Sequence, residues 1–353
     1  MNQVFGFAPG DRPASPYDFT QLSTVAWSED AALMCEAHAH GARVVLDAGR
    51  NKGAAEFMAA LAGDAEERRT WVHSMAQRAQ DLPMDGINFD LEAASKPCSP
   101  LASNYTRLVA ASARWFHQQL PGSQVSVDIP WSPYDVDGRN YEWAELAQAA
   151  DVLFVMSYDM QSQIFGKCVA SANSPAPLVA RGLRQWLNLG VPASKLVLGL
   201  PWYGYDYPCT DAGGEAMGPT DEVCLLAAVP FVGAPCSDAA GRQRDYSDLM
   251  GLLRSGTNTT PPMWDDGQAS PWFNYRADDG GIHQVWYDNP RSLRIKYQLA
   301  ADLGLRGVGM WHLEALDYGS TDPQVAHETA EMWGTLRTFT AAGSALRAAD
   351  SLG

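Results

Sequence analysis

Short apolar or alternating runs recur along the chain, and most of the segments between them have a helical period. The strand candidates are Val4–Phe7, Val25–Trp27, Arg43–Leu46, Gly86–Glu92, Val125–Trp131, Val152–Tyr158, Leu196–Trp202 and Gly307–Trp311. The helix candidates between them include Asp64–Asp81, Tyr105–Gln119, Tyr141–Ala150 and Pro177–Leu189. Strands that alternate with helices pair in parallel, so the pattern predicts an α/β fold, a closed (β/α)8 TIM barrel. An open doubly wound sheet is disfavoured because no glycine-rich turn follows the first strand.

The regular spacing breaks once, because about a hundred residues separate Trp202 from Trp311. This gap is rich in glycine, proline, cysteine and aromatic residues, contains a strand candidate at His283–Tyr287, and is followed by the helix candidate Ser292–Leu303. We therefore expect one (β/α)8 domain over residues 1–340, with a small α+β insertion at about 205–290 between barrel strands 7 and 8, and a flexible tail at 341–353.

Composition narrows the classes of partner. The formal charge of −16 disfavours nucleic acid, and no apolar run approaches the ~20 residues needed to span a bilayer, so no membrane partner is expected. Six cysteines without a C-x-x-C pair disfavour zinc and permit disulfides, although buried free thiols remain an alternative. The first residues lack the basic and long apolar segments of a signal peptide.

The segment from Asp85 to Glu92 alternates strictly between polar and apolar residues. On a strand, Asn88, Asp90 and Glu92 share one face, which in a barrel points inward. Buried carboxyls are costly unless they are hydrogen-bonded or functional, so this face indicates chemistry rather than packing. A solvent-facing edge strand is the alternative.

Glu92 lies nearest the C-terminal end of this predicted strand, where TIM-barrel enzymes hold their active sites. It is therefore the predicted proton donor, with Asp90 beneath it. Because neighbouring carboxyls do not both ionise easily, one of the two is expected to keep its proton near neutral pH.

The same segment resembles the signature of the family-18 chitinases, usually written DGxDxDxE. Asn88 replaces the first of the closely spaced aspartates, as in one branch of the family whose segment is similar to DGINxDxE. Further stretches that resemble this branch are Asp151–Gln163, Pro201–Tyr207, Gly233–Gln243, His283–Pro290 and Arg306–Trp311. The resemblance therefore covers nearly the whole chain.

The resemblance implies a retaining glycosidase that cleaves β-1,4-linked N-acetylglucosamine, with the acetamido oxygen of the substrate as nucleophile. The implied substrates are the chitobiose core of N-glycan fragments or chitooligosaccharides, cut by exo action from the reducing end. The alternatives are an endo-acting chitinase or glucosaminidase and a non-catalytic chitinase-like lectin, which typically lacks the acid. No cofactor or metal is expected, and the resemblance implies a monomer that is lysosomal or secreted.

The resemblance also implies residue roles. Glu92 acts as acid and then base, Asp90 orients the acetamido N–H, and Tyr158 hydrogen-bonds the acetamido oxygen. Asp159 contacts the sugar, and Trp311 forms an apolar floor beneath the ring. A tyrosine or tryptophan at a strand end is otherwise often only part of the core.

Further substrate-binding candidates are Asn88, Met156, Trp131, Trp202 and Tyr203. The three aromatic residues lie at or near strand ends and are predicted to stack on additional sugar units. Asn88 removes a negative charge behind Asp90, so Asp90 is expected to ionise more readily than in a typical family-18 chitinase.

Overall fold

A computed structural model describes residues 3–10, 17–49, 54–210, 217–218 and 220–341. The strands are β1 (Gln3–Phe7), β2 (Thr24–Ala26), β3 (Arg43–Asp47), β4 (Gly86–Phe89), β5 (Gln124–Pro130), β6 (Val152–Met156), β7 (Leu196–Pro201), β8 (Tyr203–Pro208), β9 (Arg242–Asp245), β10 (Met263–Asp265), β11 (Ser270–Arg276), β12 (Ile282–Trp286) and β13 (Gly307–Trp311). The predicted tail at 341–353 lies outside the described residues apart from its first position.

The helices are α1 (Ala31–Ala39), α2 (Ala54–Ala62), α3 (Ala65–Asp81), α4 (Pro100–Gln119), α5 (Trp143–Ala149), α6 (Ala176–Asn188), α7 (Tyr246–Ser255), α8 (Pro290–Asp302) and α9 (Pro323–Gly334). Side chains mark several starts: Ser99 accepts a hydrogen bond from the backbone of α4, and Asp64 forms a capping box at α3. Within the described part of the chain, no helix combines the length and hydrophobicity needed to cross a bilayer.

Eight parallel strands close into a barrel in the order β1-β13-β7-β6-β5-β4-β3-β2. All eight strand candidates form it, which confirms the predicted TIM barrel and excludes the open sheet. One boundary was wrong in a way that matters: β4 ends at Phe89, so the predicted strand Gly86–Glu92 is three residues too long. Asp90 and Glu92 lie in the loop beyond the strand rather than on its inner face.

Aromatic side chains fill part of the barrel interior. The ring of Phe154 lies 5.3 Å from that of Phe5 and 4.8 Å from that of Phe7, measured between centroids. Glycines make room for this ring: a Cβ on Gly199 would come within 2.3 Å of Phe154, and one on Gly309 within 2.7 Å. The strands β7 and β13 therefore carry glycine where Phe154 fills the barrel.

The insertion between β7 and β13 is built around a five-stranded antiparallel sheet in the order β10-β11-β12-β8-β9. Asp206 of β8 is fully buried and accepts hydrogen bonds from Arg242, Arg244, Tyr275 and His283. Burial raises the pKa of Asp206, but the hydrogen bonds from Tyr275 and His283 more than offset this and hold it below its usual value. This carboxylate therefore joins four strands of the insertion.

Disulfides are also concentrated in and around the insertion. The bridges are Cys168–Cys236 and Cys209–Cys224. The first ties the loop after β6 to the insertion, and the second lies within the insertion. The remaining cysteines, Cys35 and Cys98, are free and exposed. The prediction of disulfides is confirmed, and the alternative of buried free thiols is wrong.

The packing around Phe154 generates a stability prediction. Gly199→Ala is expected to lower the free energy of unfolding by about 1–3 kcal/mol, because the added methyl overpacks the barrel interior. The measurement is urea unfolding beside Gly251→Ala, a control on α7 whose new Cβ meets only Arg254 Nη2 at 3.8 Å. The control is expected to unfold at the wild-type midpoint or slightly above it. Equal stability of the two variants would contradict the packing argument.

Candidate active site

Two adjoining cavities lie at the C-terminal ends of the barrel strands. The inner chamber, of about 100 Å³, is lined by Phe7, Trp27, Asp90, Glu92, Asp128, Met156, Tyr158, Asp159, Gln243 and Trp311. The outer chamber, of about 230 Å³, is lined by Glu92, Pro130, Trp131, Val136, Asp137, Arg139, Met156, Tyr158, Asp159, Ser162, Tyr205, Phe231, Ser237, Asp238 and Ala239. The first is formed mainly by barrel strands and their ends, whereas the insertion contributes to the second.

The two chambers share one wall. Glu92, Met156, Tyr158 and Asp159 line both of them. A ligand that extended from one chamber into the other would therefore pass these four side chains. The fold thus brings the predicted proton donor and the predicted acetamido-binding tyrosine to the same boundary.

Asn88 anchors the start of the loop that carries the carboxyls. Its side chain is fully buried inside the barrel, where Trp27 Nε1 donates to Asn88 Oδ1 at 2.7 Å. Asn88 Nδ2 donates to Ser126 Oγ and to Asp128 Oδ1, both at 3.0 Å. These bonds account for both ends of the amide, so a polar residue is tolerated in the barrel interior. Asn88 lies behind the inner chamber and does not line it.

Glu92 has a cationic neighbour that the sequence analysis did not identify. Arg139 Nη2 lies 2.7 Å from Glu92 Oε2 and 3.1 Å from Asp137 Oδ2. The Arg139 side chain is only 12% exposed, whereas that of Glu92 is 42% exposed. This ion pair involves the carboxylate form of Glu92, while proton donation requires the carboxylic acid.

Tyr158 is a buried phenol at the boundary between the chambers. Burial raises the pKa of its hydroxyl well above the usual value, and the charges of Asp128 and Asp90 act in the same direction. The hydroxyl therefore stays protonated over the whole physiological range and can donate a hydrogen bond to a ligand.

Asp159 is held by hydrogen bonds on both oxygens. The Tyr203 hydroxyl donates to Oδ1, and Gln243 Nε2 donates to Oδ2 at 3.4 Å. Burial raises the pKa of Asp159 to about 7, although the bond from Tyr203 opposes the shift. Near neutral pH this carboxyl therefore exists in both protonation states.

Trp311 forms an apolar surface of the inner chamber. Its ring lies 5.4 Å from Phe7 and 5.2 Å from Trp27, measured between centroids, so it is braced by two other rings. Met156 also lines this chamber, on the shared wall. This arrangement offers a flat apolar surface of the kind on which a sugar ring packs.

The three predicted stacking residues have different fates. Trp131 lines the outer chamber and carries the Arg181 guanidinium over its ring at 5.2 Å. Trp202 is fully buried and packs edge-on against Trp333 of α9, so the prediction that it stacks on a sugar is wrong. Tyr203 is 2% exposed and acts instead as the hydrogen-bond donor to Asp159, so its predicted stacking role is also wrong.

Several polar residues of the chambers were missed from sequence: Asp128, Asp137, Arg139, Asp238 and Gln243. Alternation along β5 places Asp128 on the inner face with Ser126, by the same pattern that singled out Asn88. Burial raises the pKa of Asp238 to about 6. No periodic signal marks Arg139, which lies in a loop. Among the described residues, no group of three or more His, Cys, Asp or Glu is arranged to hold a metal ion.

A closed parallel barrel with polar side chains at the C-terminal ends of its strands is the architecture of TIM-barrel enzymes, and the sequence assigns the chain to one family. The profile of "Glycosyl hydrolases family 18" matches residues 14–315. The chain therefore belongs to glycosyl hydrolases family 18, and it is a glycosidase.

Relatives with this sequence pattern are named di-N-acetylchitobiases. The chain is 42% identical to "Di-N-acetylchitobiase" of Rattus norvegicus, covering 95% of this chain and 88% of the relative, and 41% identical to that of Homo sapiens, covering 95% and 83%. It is 37% identical to "Probable di-N-acetylchitobiase 2" of Dictyostelium discoideum, covering 96% and 86%. The resemblance to this branch, expected from the Asn88 segment, is confirmed.

Solved structures share the fold. An Ostrinia furnacalis Group IV chitinase in complex with allosamidin superposes with a TM-score of 0.74 at 18% identity, covering 97% of this chain and 100% of that one. A Class V chitinase of Nicotiana tobaccum in complex with NAG4 superposes with a TM-score of 0.71 at 17% identity, covering 97% and 98%. At these identities the similarity establishes the barrel architecture.

The raised pKa of Asp159 generates a prediction for stability against pH. An unfolded aspartate titrates near pH ~4, so between pH ~4 and 7 only the folded state holds this proton, and stability falls as pH rises through that window. In the wild type, this proton makes the free energy of unfolding lower at pH 8 than at pH 5. Asp159→Asn is expected to make that decrease smaller by about 2 kcal/mol. Urea unfolding at both pH values measures this.

The matched control is Asp278→Asn, at an exposed aspartate of the insertion. This variant is expected to keep the wild-type difference between pH 5 and pH 8. If the free energy of unfolding of Asp159→Asn falls between pH 5 and pH 8 by as much as that of the wild type, Asp159 does not hold its proton in the folded protein.

Proposed function

We propose that this glycosidase cleaves the β-1,4 bond between N-acetylglucosamine units of chitobiose-containing oligosaccharides, with Glu92 as the acid and base. The observation that carries the proposal is the shared wall, because Glu92 and Tyr158 lie where a sugar in the inner chamber would join one in the outer chamber. The names of the relatives, di-N-acetylchitobiases, support the same substrate class.

The inner chamber suits the sugar whose anomeric bond breaks. Trp311 supplies an apolar floor, Asp90 lies where it can orient the acetamido N–H, and the Tyr158 hydroxyl is a donor for the acetamido oxygen. Asp159 adds a further polar group to this chamber. Held in this way, the acetamido oxygen is positioned to attack the anomeric carbon of its own sugar.

The proposed reaction has two steps. Glu92 donates its proton to the glycosidic oxygen, the bond to the anomeric carbon breaks, and the acetamido oxygen bonds to that carbon to give an oxazolinium ion. The Glu92 carboxylate then takes a proton from water as the water oxygen bonds to the anomeric carbon and the acetamide is restored. Two inversions leave the β configuration retained.

The outer chamber then receives the departing, reducing-end sugar. Insertion residues contribute to its wall, including Phe231 and Asp238. Gln163 Nε2 donates to Val232 O at 3.1 Å, and Ile164 N donates to Cys236 O at 2.9 Å, so the loop after β6 and the insertion are joined beside this chamber. A wall on this side favours release of one sugar from the reducing end over binding of a long chain.

The acid role is tested by Glu92→Gln. This change is expected to lower kcat on chitobiose by at least about 100-fold, because the amide keeps the shape of the side chain but donates no proton to the leaving oxygen. The matched control is Glu145→Gln on α5, an exposed carboxyl outside both chambers, which is expected to leave kcat unchanged. A Glu92→Gln variant with most of its activity would remove Glu92 from its role.

The direction of cleavage is tested with chitotriose labelled at its reducing end. Single labelled N-acetylglucosamine units are expected as the first labelled product, and proton NMR of early products is expected to show the β anomer of the newly formed end. Internal cleavage of longer chitooligosaccharides at comparable rates would favour an endo-acting chitinase. An inverted first product would exclude the oxazolinium route, and binding without cleavage would indicate a lectin.

A further inference from the structure

Arg139 is placed beside Glu92 by the backbone of its own loop. Ser95 N donates to Gly138 O at 2.9 Å, and Asn140 N donates to Ser95 O at 3.1 Å. The segment around Arg139 is therefore bonded to the chain three residues beyond Glu92. These bonds fix the backbone at Arg139 relative to the chain that carries Glu92, and the guanidinium lies within reach of the Glu92 carboxyl.

The other side of Arg139 is fixed by Asp137. Asp137 Oδ2 pairs with Arg139, and Asp137 Oδ1 accepts a hydrogen bond from Ser162 Oγ at 2.7 Å. The backbone N–H of Asp137 donates to Gln163 Oε1 at 2.8 Å. Burial raises the pKa of Asp137, and the bond from Ser162 and the charge of Arg139 oppose that shift. Two residues from the loop after β6 thus hold the group that orients the arginine.

Arg139 lies in the wall of the outer chamber together with Glu92 and Asp137. Its side chain is only 12% exposed, so its attraction to a carboxylate is stronger there than in water. Of the two carboxyls that it contacts, Glu92 is the one that also lines the inner chamber. The arginine therefore contacts the carboxyl that is proposed to carry out the chemistry.

We infer that Arg139 is a positioning residue for Glu92. It holds the carboxyl at the wall between the two chambers and stabilises the carboxylate that remains after the proton has passed to the glycosidic oxygen. That charge exists from cleavage of the bond until water is deprotonated, so a fixed cation lowers the free energy of this interval more than that of the acid form. The inference rests on the proposed function of Glu92.

The test compares Arg139→Met with Arg139→Lys on two substrates. On chitobiose, Arg139→Met is expected to lower kcat by about 10- to 100-fold with KM within about threefold of wild type, and Arg139→Lys to recover part of the loss. On an aryl β-glycoside of N-acetylglucosamine, whose phenolate departs with little proton transfer, the loss is expected to be several-fold smaller. A role exerted through proton donation predicts this difference between substrates.

Several results would overturn the inference. One is a kcat of Arg139→Met on chitobiose within twofold of wild type. Another is an increase in KM alone, which would mean that Arg139 binds the departing sugar. The third is an equal loss of kcat on both substrates, which would indicate a structural role. Thermal unfolding checks that each variant is folded. If Arg139→Met does not fold, Arg139→Gln replaces it, since the amide removes the charge but keeps hydrogen-bonding groups.

Glu92→Gln is assayed in parallel so that the two proposals can fail separately. If Glu92→Gln retains activity on chitobiose, the proposed function of Glu92 is wrong and the inference about Arg139 falls with it. If Glu92→Gln is inactive while Arg139→Met matches wild type, only the role of Arg139 is wrong.

Discussion

The rest of the structure depends on the filling of the barrel by aromatic rings. Phe154 occupies the interior between Phe5, Phe7 and the glycines of β7 and β13, and Trp311 rests on Phe7 at the C-terminal end of the same column. A close-packed interior leaves side chains little room to move. The position of Trp311, which forms the floor of the inner chamber, is therefore fixed by the rings packed beneath it. The chambers begin where this column ends.

Above that floor, limited access of water determines what each polar group can do. The phenol of Tyr158 stays protonated because burial penalises its anion, and the pKa of Asp159 is raised to about 7 for the same reason. Glu92 differs from both, since its side chain is partly exposed and a cation lies against it. The groups proposed to bind a neutral sugar are thus kept neutral or partly so, whereas the group proposed to act as acid and base has a charge partner.

The sequence predicted the barrel well because every barrel strand is a buried apolar or alternating run with a recognisable end. It correctly placed Asp90 and Glu92 at the C-terminal end of β4. It assigned them to the strand rather than to the loop, because the alternation of polar and apolar residues continues past Phe89 while the strand pairing does not. Asp128 follows the same alternation along β5, so the same reasoning could have predicted it as a residue of the site.

The contact of Arg139 with Glu92 and the burial of Trp202 could not be predicted from such a pattern. Arg139 reaches Glu92 through a loop whose path depends on backbone bonds between Ser95, Gly138 and Asn140, and no periodicity encodes these bonds. Trp202 and Tyr203 are adjacent at the end of β7, so their side chains point in opposite directions. One turns to Trp333 in the helical layer and the other to Asp159, and sequence alone did not indicate which surface each would meet.

The division of the site between barrel and insertion gives each part a separate task. Barrel strands and the loops at their ends supply Asp90, Glu92, Tyr158 and Trp311, which line the inner chamber and are proposed to bind one acetamido sugar and cleave its anomeric bond. The insertion and the loop after β6 supply much of the remaining outer wall. Loops at the mouth of a TIM barrel vary without disturbing the barrel itself. We therefore expect the insertion to determine which lengths of oligosaccharide are accepted, and the ends of the barrel strands to determine which bond is cleaved.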